Sequence, residues 1–229
     1  MYGEIIGNPK GDVPDLRPIA DVAHSEGVPF FIDNTFAPTL CKPFDHGVDI
    51  IVYSTTKWIG GHGTSIGGII VDSGNFDWSS GRFPGFTTPD ASYHGVVYWN
   101  ALGNVPGAGN IAFAVKARVQ GMRNIGACPS PTNSFYTLQG VETLPLRITK
   151  HCENTLKLTE FLTNHPLVDS VNYVGLESHP YHTMAKKYLT GGFGSVFGIE
   201  LKGGYDAGIK FIDSVKLAKH LANVGDAKT

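Results

Sequence analysis

The sequence predicts an α/β fold, with a mainly parallel sheet that contains one antiparallel strand, followed by a smaller α+β unit. Two apolar runs without alternation, at 28–32 and 49–53, are typical of strands that are covered on both faces. An amphipathic stretch precedes the first run, so helix and buried strand alternate along the chain. A third run at 68–72 is predicted to be antiparallel, because the connection 54–67 has too many glycines for a crossover helix.

The first helix is predicted to begin after Asp15 and to end before Gly27. Asp15 is a candidate N-cap, because apolar residues follow it at helical spacing. Gly27 suits the left-handed position just past a helix C-terminus. The apolar positions are Leu16, Ile19, Ala20 and Ala23.

Residues 78–110 show neither a helical nor a strand period over a useful length. They are rich in glycine, proline and aromatic residues, and such a long loop inside a compact domain is uncommon unless it is functional. We interpret this segment as a lid over a pocket, with packing at an oligomer interface as an equally weighted alternative. Its aromatic residues are Trp78, Phe83, Phe86, Tyr93, Tyr98 and Trp99.

The remainder of the chain has a different character. An amphipathic helix is predicted over 140–164, with Pro145 either in its first turns or at a kink. Strands at 168–174 and 195–201 and a helix at 206–222 would form the smaller α+β unit.

The chain length of 229 residues allows one or two domains. The change of character at the long helix predicts a boundary there, which divides the chain into 1–139 and 140–229. No internal repeat or low-complexity tract is visible.

Composition narrows the class of protein. Hydrophobic residues make up 41% and charged residues 17%, and the net charge is −2, so nothing attracts nucleic acid. No apolar run approaches the roughly 18 residues of a membrane span, and the N-terminus lacks a signal-peptide layout. Cys41, Cys128 and Cys152 are odd in number and far apart, which favours a reducing compartment. We therefore expect a soluble cytoplasmic protein with no membrane or nucleic-acid partner.

Asp33 and Lys57 follow the first two apolar runs closely. Ligands of open α/β sheets collect outside the carboxyl ends of the strands, so we expect both side chains in one site. Taken singly, a strand-terminal aspartate is usually a turn or cap residue, and a lysine in a glycine-rich loop is usually solvated. Their joint placement favours a shared function.

An amine, a carboxylate and nearby hydroxyls are the groups that pyridoxal phosphate needs. A lysine amine forms a Schiff base with the aldehyde of the cofactor. A carboxylate keeps the ring nitrogen protonated, so that the ring can accept electrons. Ser54 and Thr56 alternate along an extended segment, so both hydroxyls can face one phosphate.

Other chemistries are not favoured. No metal site is predicted, because metal-binding motifs are missing and the adjacent His151 and Cys152 point apart on a helix. The glycines at 60–63 do not form a nucleotide-binding loop, because Lys57 precedes them. Cys41 has no adjacent base and is expected to be structural.

Seven segments resemble the Cys/Met-metabolism family of pyridoxal-phosphate enzymes, and the resemblance as a whole covers nearly the whole chain. The resemblance implies the pyridoxal-phosphate-dependent transferase fold of type I, with an incomplete smaller C-terminal domain. The O-acetylhomoserine sulfhydrylase branch is the most similar, judged by the turn after Pro9, by residues 74–78 and by the aromatic loop up to Asn100. The seven segments are 6–9, 31–36, 45–50, 54–57, 66–68, 142–147 and 151–154.

The resemblance implies roles for the residues around the cofactor. Lys57 would form the Schiff base and shuttle protons, and Asp33 would pair with the pyridine nitrogen. Ser54 and Thr56 would hold the phosphate. Asn8 would lie near the ring hydroxyl and the substrate carboxylate, while Asn223 falls where other branches keep a serine near that carboxylate.

The implied activity is γ-replacement on O-acetylhomoserine by sulfide or a thiol, with homocysteine and acetate as products. Cystathionine γ-synthase or γ-lyase activity is an alternative within the family. A catalytically incomplete fragment is another, because the chain looks truncated at both ends relative to family members. Full-length members are implied to form homotetramers, as dimers of dimers.

Overall fold

The computed structural model describes residues 1–227, which form an α/β fold with a four-stranded sheet and a separate two-stranded sheet. Four strands lie in the order β1-β2-β3-β4; the first three are parallel, and β4 is antiparallel to β3. The predicted fold class and the antiparallel strand are therefore confirmed. The strands are β1 (Tyr2–Glu4), β2 (Phe31–Asp33), β3 (Ile50–Ser54) and β4 (Gly68–Asp72).

Burial explains why these segments become strands. Ile32, Ile50 and Ile51 are at most 4% exposed in the main core, as the uninterrupted apolar runs predict. In the register of β2 and β3, Asp33 lies opposite Val52, so both strands end at the same edge of the sheet.

Helix α1 (Leu16–Ser25) begins and ends where the sequence predicts. Gly27 has a φ of +63°, and its N–H donates to the His24 carbonyl at 2.9 Å. Asp15 occupies the N-cap position, but its side chain does not cap the helix. Its carboxylate accepts instead from Lys187 Nζ at 2.6 Å and from the Tyr188 hydroxyl, which together lower the pKa of Asp15. A charged ammonium is a stronger donor than a backbone N–H, which explains the difference.

The segment predicted as a long loop packs around its own rings, and we call it the aromatic lobe (residues 76–113). Trp78 stacks on Phe86 and Phe113 with centroid separations of 4.5 and 5.2 Å. Phe113 also contacts Phe31 of β2 edge-on at 5.9 Å, which joins the lobe to the sheet. A role as a lid or at an oligomer interface stays a prediction. Its helices and those that follow are α2 (Pro84–Thr87), α3 (Tyr98–Leu102), α4 (Ala112–Lys116) and α5 (Arg123–Ile125), with 3₁₀ or π turns at Ala91–Tyr93 and Ala117–Met122.

Helix α6 (Pro131–Thr163) is longer than predicted. The Ser130 hydroxyl accepts from the Asn133 N–H at 3.1 Å, and Pro131 stands at the first helical position, so the true start carries its own signals. Pro145 therefore lies deep inside the helix, so the first of its two predicted placements, in the first turns, is wrong, and the alternative of a kink stays a prediction.

The C-terminal part pairs β5 (Val168–Asn172) with β6 (Gly198–Leu201), and α7 (His182–Tyr188) lies between them in sequence. Helix α8 (Gly204–Ser214) ends well before the predicted residue 222. The residues after it fold back instead, and the Ala227 N–H donates to the Gly61 carbonyl at 2.8 Å.

The division into domains 1–139 and 140–229 stays a prediction. Leu144, Ile148 and Cys152 of α6 belong to the same buried cluster as the sheet. Within residues 1–227, no helix is long and apolar enough to cross a bilayer.

Candidate active site

Three neighbouring parallel strands each lead into a predicted site residue. Asn8 follows β1, Asp33 ends β2, and Lys57 lies in the turn after β3. Because the strands are parallel and adjacent, these residues lie along one edge of the sheet. The structure thus places Asp33 and Lys57 at the same edge of the sheet, as the sequence predicts, and adds Asn8, which only the family resemblance indicated.

The Asp33 carboxylate is held by residues close to it in the sheet. Its Oδ1 accepts from the Thr35 N–H at 2.8 Å, and its Oδ2 accepts from the Tyr2 hydroxyl at 3.3 Å. Partial burial, and then the charge of Asp33, raise the pKa of the Tyr2 phenol. An ionised carboxylate has about four acceptor sites, so Asp33 keeps capacity for a further donor such as a ring N–H.

Lys57 lies in a distorted π-helical turn over Thr55–Ile59. Its own backbone (φ −87°, ψ −128°) is not helical, yet the turn closes around it. The Gly60 N–H donates to the Thr55 carbonyl at 2.9 Å, and the Gly61 N–H donates to the Lys57 carbonyl at 2.8 Å. Single π-type turns of this kind occur often at functional sites.

The Lys57 amine meets the C-terminal segment of the chain. Nζ donates to Asn223 Oδ1 at 2.8 Å, and Asn223 Nδ2 donates to Asp226 Oδ2 at 3.3 Å. The structure thus brings Asn223 directly to the amine. Only the family resemblance pointed to this residue, since a contact across 166 positions leaves no local pattern.

Ser54 and Thr56 flank the start of the turn and are half-buried. The Ser54 N–H donates to Thr35 Oγ1 at 2.8 Å, which links the ends of β2 and β3. The Thr56 hydroxyl accepts from the Gly67 N–H at 3.0 Å. Their role towards a phosphate stays a prediction.

Asn8 is exposed on a tight turn, and its N–H donates to Glu4 Oε2 at 3.0 Å. The same turn is clamped from β5, because Asn172 Nδ2 donates to the Pro9 and Lys10 carbonyls at 3.3 and 3.1 Å. Sequence reasoning missed Asn172, since the contact joins residues more than 160 positions apart.

His179 fixes the orientation of Asn172. Its Nδ1 accepts from the Tyr181 N–H at 3.2 Å, so the proton lies on Nε2, which donates to Asn172 Oδ1 at 2.8 Å. Burial lowers the pKa of His179 and favours this neutral form.

Arg147 of α6 also reaches the site and was missed as a functional residue. Its Nη1 donates to the Trp58 carbonyl at 2.6 Å, directly after Lys57. In the sequence, Arg147 stood out only as part of a family motif.

Two other side chains with reactive groups, Cys41 and His62, have structural contacts of their own. Burial raises the pKa of Cys41 to about 12, so its thiol is inert at neutral pH, in keeping with a structural role. His62 is exposed, and its Nδ1 lies 2.8 Å from the Gly60 carbonyl oxygen, to which it donates a hydrogen bond. Among residues 1–227, no group of three or more His, Cys, Asp or Glu side chains could hold a metal ion.

The fold and the paired strand ends define an α/β protein of the pyridoxal-phosphate class. A family model described as Cys/Met metabolism PLP-dependent enzyme matches residues 1–229. The chain belongs to this family.

Similar proteins agree with this assignment. The chain is 51% identical to O-acetyl-L-homoserine sulfhydrylase of Leptospira meyeri and 50% identical to homocysteine synthase of Schizosaccharomyces pombe, in each case over 100% of this chain and 53% of the relative. The chain thus spans about half the length of the curated relatives it matches.

A solved structure shows the same fold. The O-acetylhomoserine (thiol)-lyase of Campylobacter jejuni superposes with a TM-score of 0.91 at 35% identity, over 99% of this chain and 55% of that one. That crystal structure contains N'-pyridoxyl-lysine-5'-monophosphate.

Proposed function

We propose that this chain binds pyridoxal phosphate through Lys57. We propose further that the protein to which it belongs replaces the acetate of O-acetylhomoserine with sulfide or a thiol to give homocysteine. The observation that carries the proposal is the placement of an amine and a carboxylate at neighbouring carboxyl ends of parallel strands.

The donor set at this edge fits the cofactor. Lys57 supplies the amine for the aldehyde, and Asp33 has remaining acceptor capacity for the ring N–H. Ser54 and Thr56 would serve the phosphate through their hydroxyls. When bound, pyridoxal phosphate supplies an electron sink for carbanion chemistry.

The residues of the chain would orient the reactants and move protons. Lys57 Nζ would carry protons to and from the carbon chain of the substrate, and Asn223 would hold that amine through the 2.8 Å bond to its Oδ1. Asn8 and Asn223 would also bind the substrate carboxylate by their side-chain amides. Thr35 and Tyr2 would keep the Asp33 carboxylate aimed at the ring.

The test is to add pyridoxal phosphate to the chain, reduce it with borohydride and map the labelled peptide. We expect the label on Lys57, and we expect it to be lost in Lys57→Arg but kept in the matched control Lys42→Arg, which changes an exposed lysine. A label on another lysine, or one that persists in Lys57→Arg, would refute the proposal.

The substrate is tested separately with O-acetylhomoserine plus sulfide, and then plus cysteine. Homocysteine from the first mixture supports the proposal. Cystathionine formed in preference to homocysteine would favour cystathionine γ-synthase activity instead.

We also propose a homo-oligomeric, cytoplasmic protein built as a dimer of dimers. Phe135, Leu138 and Leu146 on α6 are each more than half exposed, which is a usual property of side chains at subunit contacts. The exposed free Cys128 supports a reducing compartment. Sedimentation of the purified protein under reducing conditions tests the assembly, and a monomer would contradict it.

A further inference from the structure

Arg147 binds the backbone that follows Lys57. Its Nη1 donates to the Trp58 carbonyl at 2.6 Å, and its Nη2 donates to the Ile59 carbonyl at 3.2 Å. The same guanidinium is anchored to its own helix, with Nη2 donating to the Gly140 carbonyl at 2.7 Å and Nε to Thr143 Oγ1 at 3.1 Å. These four acceptors are neutral oxygens, so the contacts specify geometry rather than neutralise a charge.

The chemistry of the acceptors explains why an arginine suits this place. The last carbonyls of a helical turn have no partner within the turn. A planar guanidinium can bind several of them at fixed angles, and charge-assisted hydrogen bonds are stronger than neutral ones. Burial lowers the pKa of Arg147, but an arginine remains protonated at neutral pH, so the clamp persists.

The turn packs directly against α6, with no space for a side chain between them. A side chain at Gly140 would place its Cβ 2.5 Å from the Ile59 carbonyl oxygen and 2.8 Å from the carbonyl carbon of Gly60. The Trp58 side chain is 1% exposed, and its Nε1 donates to Ser195 Oγ at 2.9 Å. The residue after Lys57 is therefore held by both its backbone and its side chain.

We propose that Arg147 is a positioning residue for Lys57. It fixes the carbonyls of the two residues that follow the lysine, and so holds the ε-amine in one orientation at the sheet edge. The part of this inference that concerns the amine rests on the function proposed above for Lys57. The part that concerns the turn does not.

The first measurement is amide hydrogen exchange on the full chain without added cofactor. The reporters are the Gly60 and Gly61 amides, which close the turn. The Asn34 amide, which donates to the Val52 carbonyl at 3.0 Å, is the internal reference. We expect Arg147→Met to speed exchange at Gly60 and Gly61 by about 10- to 100-fold and to leave Asn34 unchanged.

Two further variants sharpen this result. Arg147→Lys keeps the charge but lacks the several N–H donors of a planar guanidinium. It should therefore bring the exchange rates only partly back to the wild-type values. Lys150→Met removes a charge one turn further along α6, where the lysine pairs with Glu153 at 3.0 Å, and should change neither reporter. Wild-type exchange at Gly60 and Gly61 in Arg147→Met, or an equal increase at Asn34, would overturn the proposal.

The second measurement is the rate at which pyridoxal phosphate and borohydride label Lys57. We expect this rate to fall about tenfold in Arg147→Met and to stay at the wild-type value in Lys150→Met. Equal rates in Arg147→Met and wild type would overturn the positioning role. Absence of label in the wild-type chain would refute the proposed function, whereas the exchange data would still decide whether Arg147 holds the turn.

Discussion

Asp33 and Lys57 lie at neighbouring strand ends, but the structure holds them in different ways. The partners of Asp33 are local: Thr35, two residues later, and Tyr2 on the adjoining strand. The partners of Lys57 come far later in the chain: Arg147 binds the backbone of its turn, and Asn223 binds its amine. The carboxylate is thus placed by the sheet itself, whereas the amine is placed only when the C-terminal half has packed.

The largest effect is expected from a variant that changes the Asp33 carboxylate and leaves the Lys57 amine intact. Asp33→Asn should slow α-proton exchange of a bound amino acid by about 100-fold or more, the scale of losing one preorganised electrostatic group. Borohydride should still label Lys57, because the amine is held independently. Proton exchange followed by NMR in heavy water measures the rate, and Asp21→Asn on the exposed face of α1 is the control. A near-normal rate would remove the role assigned to Asp33.

The next prediction disturbs only the amine side. Gly140→Ala forces a Cβ against the backbone of Ile59 and Gly60, and should destabilise the fold by about 1–3 kcal/mol. Gly208→Ala in α8 is the matched control, since open space surrounds that position and alanine favours a helix. Urea unfolding measures both variants, and equal free energies of unfolding would contradict the close approach.

A smaller effect is expected at the other long-range contact. Asn223→Ala removes the acceptor that orients Lys57 Nζ, so pyridoxal phosphate should react with Lys57 up to about tenfold more slowly. Absorbance after rapid mixing measures the rate, with Asn154→Ala on the exposed face of α6 as control. An unchanged rate in Asn223→Ala would show that the amine is oriented without this amide.

The smallest effect concerns the clamp on the Asn8 turn. Because burial lowers the pKa of His179, the folded state resists its protonation, and the free energy of unfolding should fall as the pH drops below about 6.5. His179→Asn should flatten part of this slope, because the residue that titrates is removed. Urea midpoints across this pH range measure the slope, and an identical slope in His179→Asn would exclude the contribution.

The sequence predicted the sheet because burial on two faces leaves a visible pattern. The runs that became β2 and β3 are apolar without interruption, and the glycine-rich connection before β4 excluded a crossover helix. The positions of Asp33 and Lys57 followed from the same pattern, since both come at or just after a strand end. Their placement at one edge of the sheet could therefore be predicted, whereas their roles stay predictions.

The parts that the sequence did not predict lack such a pattern. The first turns of α6 expose Phe135 and Leu138, so they show no stripe facing the core, and the predicted start was nine residues late. The aromatic lobe packs by ring contacts between short helices, which have no period. Arg147 and Asn172 bind backbone carbonyls that are far away in sequence, so no local pattern of residues predicts these contacts.

The burial of Trp58 beside Lys57 gives the protein an internal optical reporter. Its indole packs edge-on against Phe36 at 5.0 Å and is shielded from water. Its fluorescence therefore depends on whether the turn stays packed and on which groups lie near it. A chromophore attached to the adjacent lysine would accept excitation energy from that ring. Emission from this tryptophan would then dim as each binding event occurred, without any added dye.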